Sequence, residues 1–264
     1  MTTSVFYGPL RRNPVNPRYF TDDSGKAIYL TGSHTWATLV DLQLEGDPKF
    51  DWLGFLDMAQ AQGHNFMRLW SWDHPKFAPW TDDVVYFEPM PYLRTGPGLA
   101  QDGLPRFDLT QFNPVYFDRL RERVQEAGQR GIYIAVMFFE GWCLKWSRPA
   151  SDAWVSHPFH RANNINGVDG DPNGDGKGDV YALADPAVLE HQKAYLRKVI
   201  DTLNEFDHVL YEVINEVENS ERGFQWQVHI AEYVRKYERG KAKQHPIGIT
   251  AEGGGQYNPV LFTS

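Results

Sequence analysis

At 264 residues, with 26 Lys and Arg against 34 Asp and Glu for a net charge of −8, the chain has room for one large domain and no basic excess for gripping a phosphate backbone. A single cysteine, Cys143, excludes an internal disulfide framework and a cysteine-built zinc site. No run of about 18 apolar residues offers a membrane span.

Residues 5–18, rich in Pro, Arg and Asn, read as an irregular arm. Tyr19-Phe20-Thr21 and Ala27-Ile28-Tyr29-Leu30 flank the turn-forming Asp22-Asp23-Ser24-Gly25-Lys26, which predicts a β-hairpin over 19–30. The second run continues into Thr31-Gly32-Ser33-His34-Thr35-Trp36. Residues 50–62 carry apolar side chains close to helical spacing, and Gly63 stops them. A strand follows over 65–70. Residues 71–112, full of Pro, Gly and aromatic residues with little periodicity, predict a long loop. The pattern then repeats. A helix over 114–128, with Phe117, Leu120, Val124 and Ala127 on one face, leads into a continuous apolar strand over 132–139. A second long loop covers 141–184. Next come a helix over 186–205, a strand over 209–214, a helix over 223–239 and a strand over 247–250.

Strands alternating with helices, and continuously apolar, imply an α/β fold around a parallel sheet buried on both faces. The long loops follow strands, whereas the helix-to-strand connections are short. That asymmetry predicts a (β/α)8 TIM barrel with its elaborated surface at the strand C-termini. Five strands account for nearly the whole chain. The expectation is therefore a single catalytic barrel domain over 1–264 holding strands one to five, the N-terminal part of a longer barrel whose C-terminal units are missing. The competing reading is a complete, open, doubly wound sheet.

The most informative stretch is Val209-Leu210-Tyr211-Glu212-Val213-Ile214-Asn215-Glu216, an apolar strand ending in Asn-Glu. Glycoside hydrolysis needs a carboxylic acid that stays protonated long enough to donate to the leaving oxygen, and burial among aromatics favours that form. An adjacent Asn can hydrogen-bond a sugar hydroxyl. The bland alternative is a solvated helix start, which both residues suit.

On these residues the chain resembles a clan A glycoside hydrolase, a cellulase-like (β/α)8 enzyme. The resemblance rests on Asn215-Glu216 at the end of the fourth strand and on Arg68, in Phe66-Met67-Arg68-Leu69-Trp70, near the end of the second. Tyr19-Phe20-Thr21-Asp22-Asp23-Ser24-Gly25-Lys26 and Leu30-Thr31-Gly32-Ser33-His34-Thr35-Trp36 are similar to a poorly characterised branch of such hydrolases. The resemblance implies retaining hydrolysis of a poly- or oligosaccharide, with Glu216 as general acid/base. The clan's nucleophile, a Glu ending strand seven, is expected beyond Ser264. Glu252, after the fifth strand, is a candidate substrate contact. The alternative is a non-catalytic carbohydrate-binding barrel that lacks the nucleophile. A metal-dependent barrel hydrolase would want His-x-His after strand one, where this chain has His34-Thr35-Trp36.

The remaining site candidates fall at the same strand ends. Arg68 could orient a catalytic carboxylate through its fork, and Glu140, which ends the third strand, could accept sugar hydroxyls or pair with Arg68. His34 is a candidate sugar contact. Trp36, Trp70, Trp72 and Trp142 could stack on sugar faces. Asn163 and Asn164, in the second long loop, suit hydroxyl recognition. In the same loop Asp169, Asp171, Asn173, Asp175 and Asp179 have the oxygen spacing of a calcium loop, although Ala182 stands where a bidentate Glu would be wanted. The chemistry itself requires no cofactor, and a structural Ca2+ is the one ion expected. The expected partner is a carbohydrate, with no nucleic acid or membrane and no oligomeric state implied. Met1-Thr2-Thr3-Ser4 shows no signal-peptide pattern, so the cytoplasm is the default location, with an extracytoplasmic one left open.

Overall fold

The computed structural model describes residues 6–146, 152–217 and 220–250. In chain order the strands and helices are β1 (Arg11–Arg12), β2 (Phe20–Thr21), β3 (Asp41–Gln43), α1 (Trp52–Ala61), β4 (Phe66–Leu69), β5 (Tyr86–Glu88), β6 (Tyr92–Leu99), β7 (Pro105–Phe112) and α2 (Pro114–Gln129). They continue with β8 (Tyr133–Glu140), α3 (Trp142–Lys145), α4 (Ala153–Ser156), α5 (Pro186–Leu203), β9 (Val209–Asn215), α6 (Glu221–Glu238) and β10 (Ile247–Gly248).

The long helices begin where the sequence supplies caps. Asn113 accepts the Val115 N–H ahead of Pro114, and Asp185 accepts the Ala187 N–H ahead of Pro186. In each case a side-chain oxygen takes an orphan donor, and proline sits at the first helical position where it loses no hydrogen bond. Both helices bury one apolar stripe, Leu120, Val124 and Ala127 on α2 and Leu196, Val199 and Leu203 on α5.

β4, β8, β9 and β10 form one parallel sheet in the order β10-β9-β8-β4. All eight residues of β8 are buried, which explains why its sequence is apolar without alternation. A single parallel bridge from Gly32 to Phe66 adds the first strand at the β4 edge. A Cβ built on Gly32 would lie 1.7 Å from the Phe66 carbonyl oxygen, so only glycine allows this approach. The parallel segments thus follow one another across the sheet in chain order, as the barrel expectation requires. Among the described residues, however, the sheet is open and no closed ring is present.

Three local expectations change. The hairpin over 19–30 reduces to one antiparallel bridge, Phe20 to Ile28, and the fuller partner of β2 is β1, in the stretch read as an irregular arm. The loop over 71–112 contains an antiparallel ribbon, β6 with β7, and a second pair, β3 with β5. Gly96 and Gly98, both at positive φ within β6, break the strand alternation that would have shown the ribbon in sequence. The loop over 141–184 holds α3, α4 and a short turn of 3-10 helix at Arg161–Asn163.

Candidate active site

The ends of β8 and β9 lie side by side, because the register pairs Glu140 with Asn215. Glu216 follows at once with φ +49, a left-handed conformation that costs a residue with a Cβ roughly 1–2 kcal/mol. Such strain persists only where surrounding structure imposes it, and it collects at sites of chemistry. Trp36, Trp70, Trp72, Trp80, Trp142, Glu140, Asn215 and Glu216 line a cavity of about 270 Å3.

The tryptophan wall is continuous. Ring centroids lie 6.5 Å apart between Trp36 and Trp70, 5.9 Å between Trp70 and Trp72, 5.7 Å between Trp72 and Trp80, and 5.8 Å between Trp80 and Trp142. Trp70 and Trp72 are buried, whereas Trp36 is 53% exposed, the indole most open to a ligand. The Trp72 indole N–H donates to the Trp36 carbonyl at 2.7 Å and ties the wall to the turn that follows the Gly32 bridge. Trp80 is a member the sequence reading missed. It lies in the aperiodic loop, and only its place in a Pro-Trp pair among aromatics hinted at it.

Arg68 projects from β4 across β8. Its Nε donates to Glu212 Oε2 at 2.7 Å and its Nη2 to Glu212 Oε1 at 2.5 Å, a bidentate pair. Nη2 also donates to Asn215 Oδ1 at 3.1 Å, and the guanidinium lies 4.6 Å from the Trp70 ring centre. The expected partner, Glu140, is therefore replaced by Glu212, a residue the sequence reading passed over. Its signal was a lone carboxylate inside an apolar strand.

Glu140 is 1% exposed and held on both oxygens. Oε1 accepts the Trp142 N–H at 3.0 Å and the Asn215 amide at 3.2 Å, while Oε2 accepts the Cys143 N–H at 3.1 Å. Burial pushes its carboxyl up, against the pull of those donors. Asn215 is thus clamped between Arg68 and Glu140. His34 is exposed and stacks on Trp70 at 5.4 Å and 13°; partial burial and the Arg68 charge hold its imidazole below the ordinary value.

Asp73 supports the site from beneath. Its Oδ2 accepts the Glu140 N–H at 3.2 Å and the Tyr181 hydroxyl, and the residue lines a small cavity of about 30 Å3. Burial, partly offset by those two donors, raises it from 3.8 to about 7. Because the folded value lies above the unfolded one, its contribution to stability falls as pH rises from about 4 to about 7. Asp73→Asn is expected to flatten that slope, with a higher melting temperature than the parent at pH 8 and little difference at pH 4. Parallel profiles for the two proteins would contradict it.

Two candidates leave the site. Asn163 is fully buried; its amide donates to the Val155 and His157 carbonyls at 2.8 and 2.9 Å, and its oxygen accepts the Gln101 N–H. Asn164 is likewise buried, donating to the Pro158, His160 and Val168 carbonyls and accepting the Val168 N–H. Both amides are consumed in holding the loop, so neither faces the cleft. Glu252 lies outside the described residues.

In the 169–179 loop, Asp171 accepts the Gly176 N–H at 2.9 Å and Asp175 accepts the Lys177 N–H at 2.9 Å. The Asn173 amide lies 3.3 Å from an Asp175 oxygen and 3.5 Å from an Asp179 oxygen. Asp169 accepts the Asp171 N–H at 3.2 Å and lies 3.8 Å from Arg161. Among the described residues, no three His, Cys, Asp or Glu side chains come together as a ready metal cage.

A family model described as "Domain of unknown function (DUF6298)" matches residues 72–256. No curated protein matches the chain. Solved structures give the fold. A glycoside hydrolase family 5 mannosidase from Rhizomucor miehei matches at TM-score 0.55 and 15% identity, over 97% of this chain and 58% of that one. A mutant of the Rhizomucor miehei mannosidase is seen in complex with mannosyl-fructose. A glycoside hydrolase family 5 protein from Bacteroides vulgatus ATCC 8482 matches at 0.52 and 12%, over 94% and 41%. The endo-glycoceramidase II of Rhodococcus sp. matches at 0.52 and 16%, over 90% and 52%. These are TIM-barrel proteins, and the chain spans less than two thirds of the length of each.

Proposed function

This chain belongs to the DUF6298 family, a domain of unknown function, and from its site we propose that it is a glycoside hydrolase cleaving O-glycosidic bonds of an oligo- or polysaccharide by a retaining, two-carboxylate mechanism. The observation that carries the proposal is Glu216, set at a parallel strand end on the wall of a cavity otherwise made mostly of indole. Indole faces stack on the apolar faces of sugar rings and exclude water from the bond between them. Glu216 then protonates the departing oxygen and, in the second half-reaction, takes a proton from the incoming water. Arg68 and Glu140 act through Asn215, keeping its amide at one orientation.

Retention needs a second carboxylate about 5–5.5 Å from the first to attack the anomeric carbon. Glu140 is fixed by three donors and Glu212 by Arg68, so we assign the nucleophile to a residue outside the described ones. The same two locked carboxylates favour the second reading, a barrel that binds carbohydrate without cleaving it. Incubating the protein with a panel of oligosaccharides, while following reducing ends and equilibrium binding, separates the two. Release of reducing ends supports hydrolysis, binding without release supports the carbohydrate-binding barrel, and neither result removes both.

A structural Ca2+ at the 169–179 loop is a separate proposal, supported by the spacing of the side-chain oxygens of Asp169, Asp171, Asn173, Asp175 and Asp179 along the loop. Binding would require Asp171 and Asp175 to exchange backbone N–H groups for the ion. Millimolar Ca2+ added to chelator-treated protein is expected to raise the melting temperature, as any ligand of the folded state does. An unchanged melting curve removes the ion.

A further inference from the structure

Glu140 is held through its main chain as well as its carboxylate. Its N–H donates to Asp73 Oδ2 at 3.2 Å, and its carbonyl lies 3.0 Å from the Tyr181 hydroxyl, which also reaches Asp73 Oδ2. Asp73 and Tyr181 thus close on both main-chain polar groups of the last residue of β8. They come from different parts of the chain, 108 residues apart. Neither lines the tryptophan cavity, so whatever they do there passes through Glu140.

Tyr181 is itself firmly seated. Its ring is buried, with centroids 6.1 Å from Phe139 and 5.2 Å from Trp226. The carbonyl of Val180, one residue earlier, accepts the Gln192 side-chain amide of α5 at 2.7 Å. The Gln192 oxygen in turn accepts the Trp226 indole N–H of α6 at 3.0 Å. Gln192 is 1% exposed, so breaking either bond would leave a polar group unpaired away from water. Two packed helices therefore set where the Tyr181 hydroxyl meets the end of β8.

From Glu140 the way into the cleft is short. Its Oε1 holds the Asn215 amide at 3.2 Å, and Glu216 is the next residue in the chain. A reacting group is placed well only when the residues behind it are themselves fixed by packing and hydrogen bonds. We propose that Asp73 and Tyr181 are positioning residues: by clamping the Glu140 main chain they hold its carboxylate against Asn215, and so set the approach of Glu216 to a bound sugar. The last step rests on the glycosidase reading of the cleft; the clamp on Glu140 does not.

Three variants test it, compared with the parent at a temperature where all four are folded. Tyr181→Phe keeps the packed ring and removes only the hydroxyl. Asp73→Asn keeps an acceptor for the Glu140 N–H, and Asp73→Ala removes it. The first readout is hydrogen exchange at the Trp142 and Cys143 amides, which the Glu140 carboxylate holds. Tyr181→Phe and Asp73→Ala should speed exchange there about tenfold, and Asp73→Asn should restore the parent rate, while amides at the start of β8 keep theirs in every variant. The second readout is cleavage of an oligosaccharide. Tyr181→Phe and Asp73→Ala should lower kcat about tenfold with KM little changed, and Asp73→Asn should stay within about twofold of the parent. Unchanged exchange at Trp142 and Cys143 in Tyr181→Phe and Asp73→Ala overturns the clamp. Faster exchange with undiminished kcat overturns its part in the chemistry. A parent that cleaves nothing, yet shows the expected exchange, removes the glycosidase reading and leaves the clamp on Glu140 standing.

Discussion

Replacing Glu216 with glutamine is expected to slow cleavage of an unactivated oligosaccharide by roughly 100- to 10,000-fold, the usual worth of a positioned proton donor. Gln keeps the size of the side chain and its hydrogen-bonding reach but has no acidic proton. The loss should therefore fall on kcat, with KM little changed. A substrate with a strongly acidic leaving group needs no protonation in the first step and should lose less at that step, so that the glycosyl-enzyme intermediate accumulates. Undiminished turnover of the unactivated oligosaccharide would refute the assignment. A companion variant reports on the backbone. Glu216→Gly should relieve the left-handed strain and stabilise the fold by about 1 kcal/mol while abolishing turnover. A gain in stability with a loss of function would mark strain retained for the sake of the carboxylate's position.

The second large effect concerns Arg68 and Glu212. Their side chains are 21% and 12% exposed, and together they cross the interior of the sheet. Removing one partner leaves a largely desolvated charge, so Arg68→Met is expected to cost about 3 kcal/mol, the low end for breaking a buried pair. In a chain of this size that lowers the melting temperature by roughly 6–12 °C. The double variant Arg68→Met, Glu212→Leu should recover most of the loss, because no charge is then left unpaired. The cycle also tests the site. Asn215 loses one of its two anchors in either variant containing Arg68→Met, so turnover should stay low even where stability returns. Full recovery of both would reduce the pair to a purely structural role.

The elements with strong periodicity were legible before any coordinates. β8 stood out as a continuous apolar run and β9 as an apolar run interrupted once, by Glu212, and α2 and α5 as amphipathic stripes opened by Asn-Pro and Asp-Pro. Asn215, Glu216 and Glu140 could be placed at one level because strand ends in a parallel sheet lie at one end of it. The partnership of Arg68 with Glu212 was not legible, since 144 residues separate them and their contact depends on the register of two intervening strand pairs. Trp80 and the β6–β7 ribbon were hidden by glycines and prolines that erase local periodicity. Asn163 and Asn164 misled for a physical reason: an amide suited to sugar hydroxyls is equally suited to the carbonyls of its own loop.

The bridge at Gly32 reaches further than its single pair of residues suggests. His34 and Trp36 sit two and four positions downstream on the same segment, with Trp36 on the cleft wall and His34 stacked on Trp70. Their seat is thus set by a missing methyl group on the far side of the sheet edge. Any side chain at position 32 would push this segment off the sheet edge and carry both aromatic rings with it.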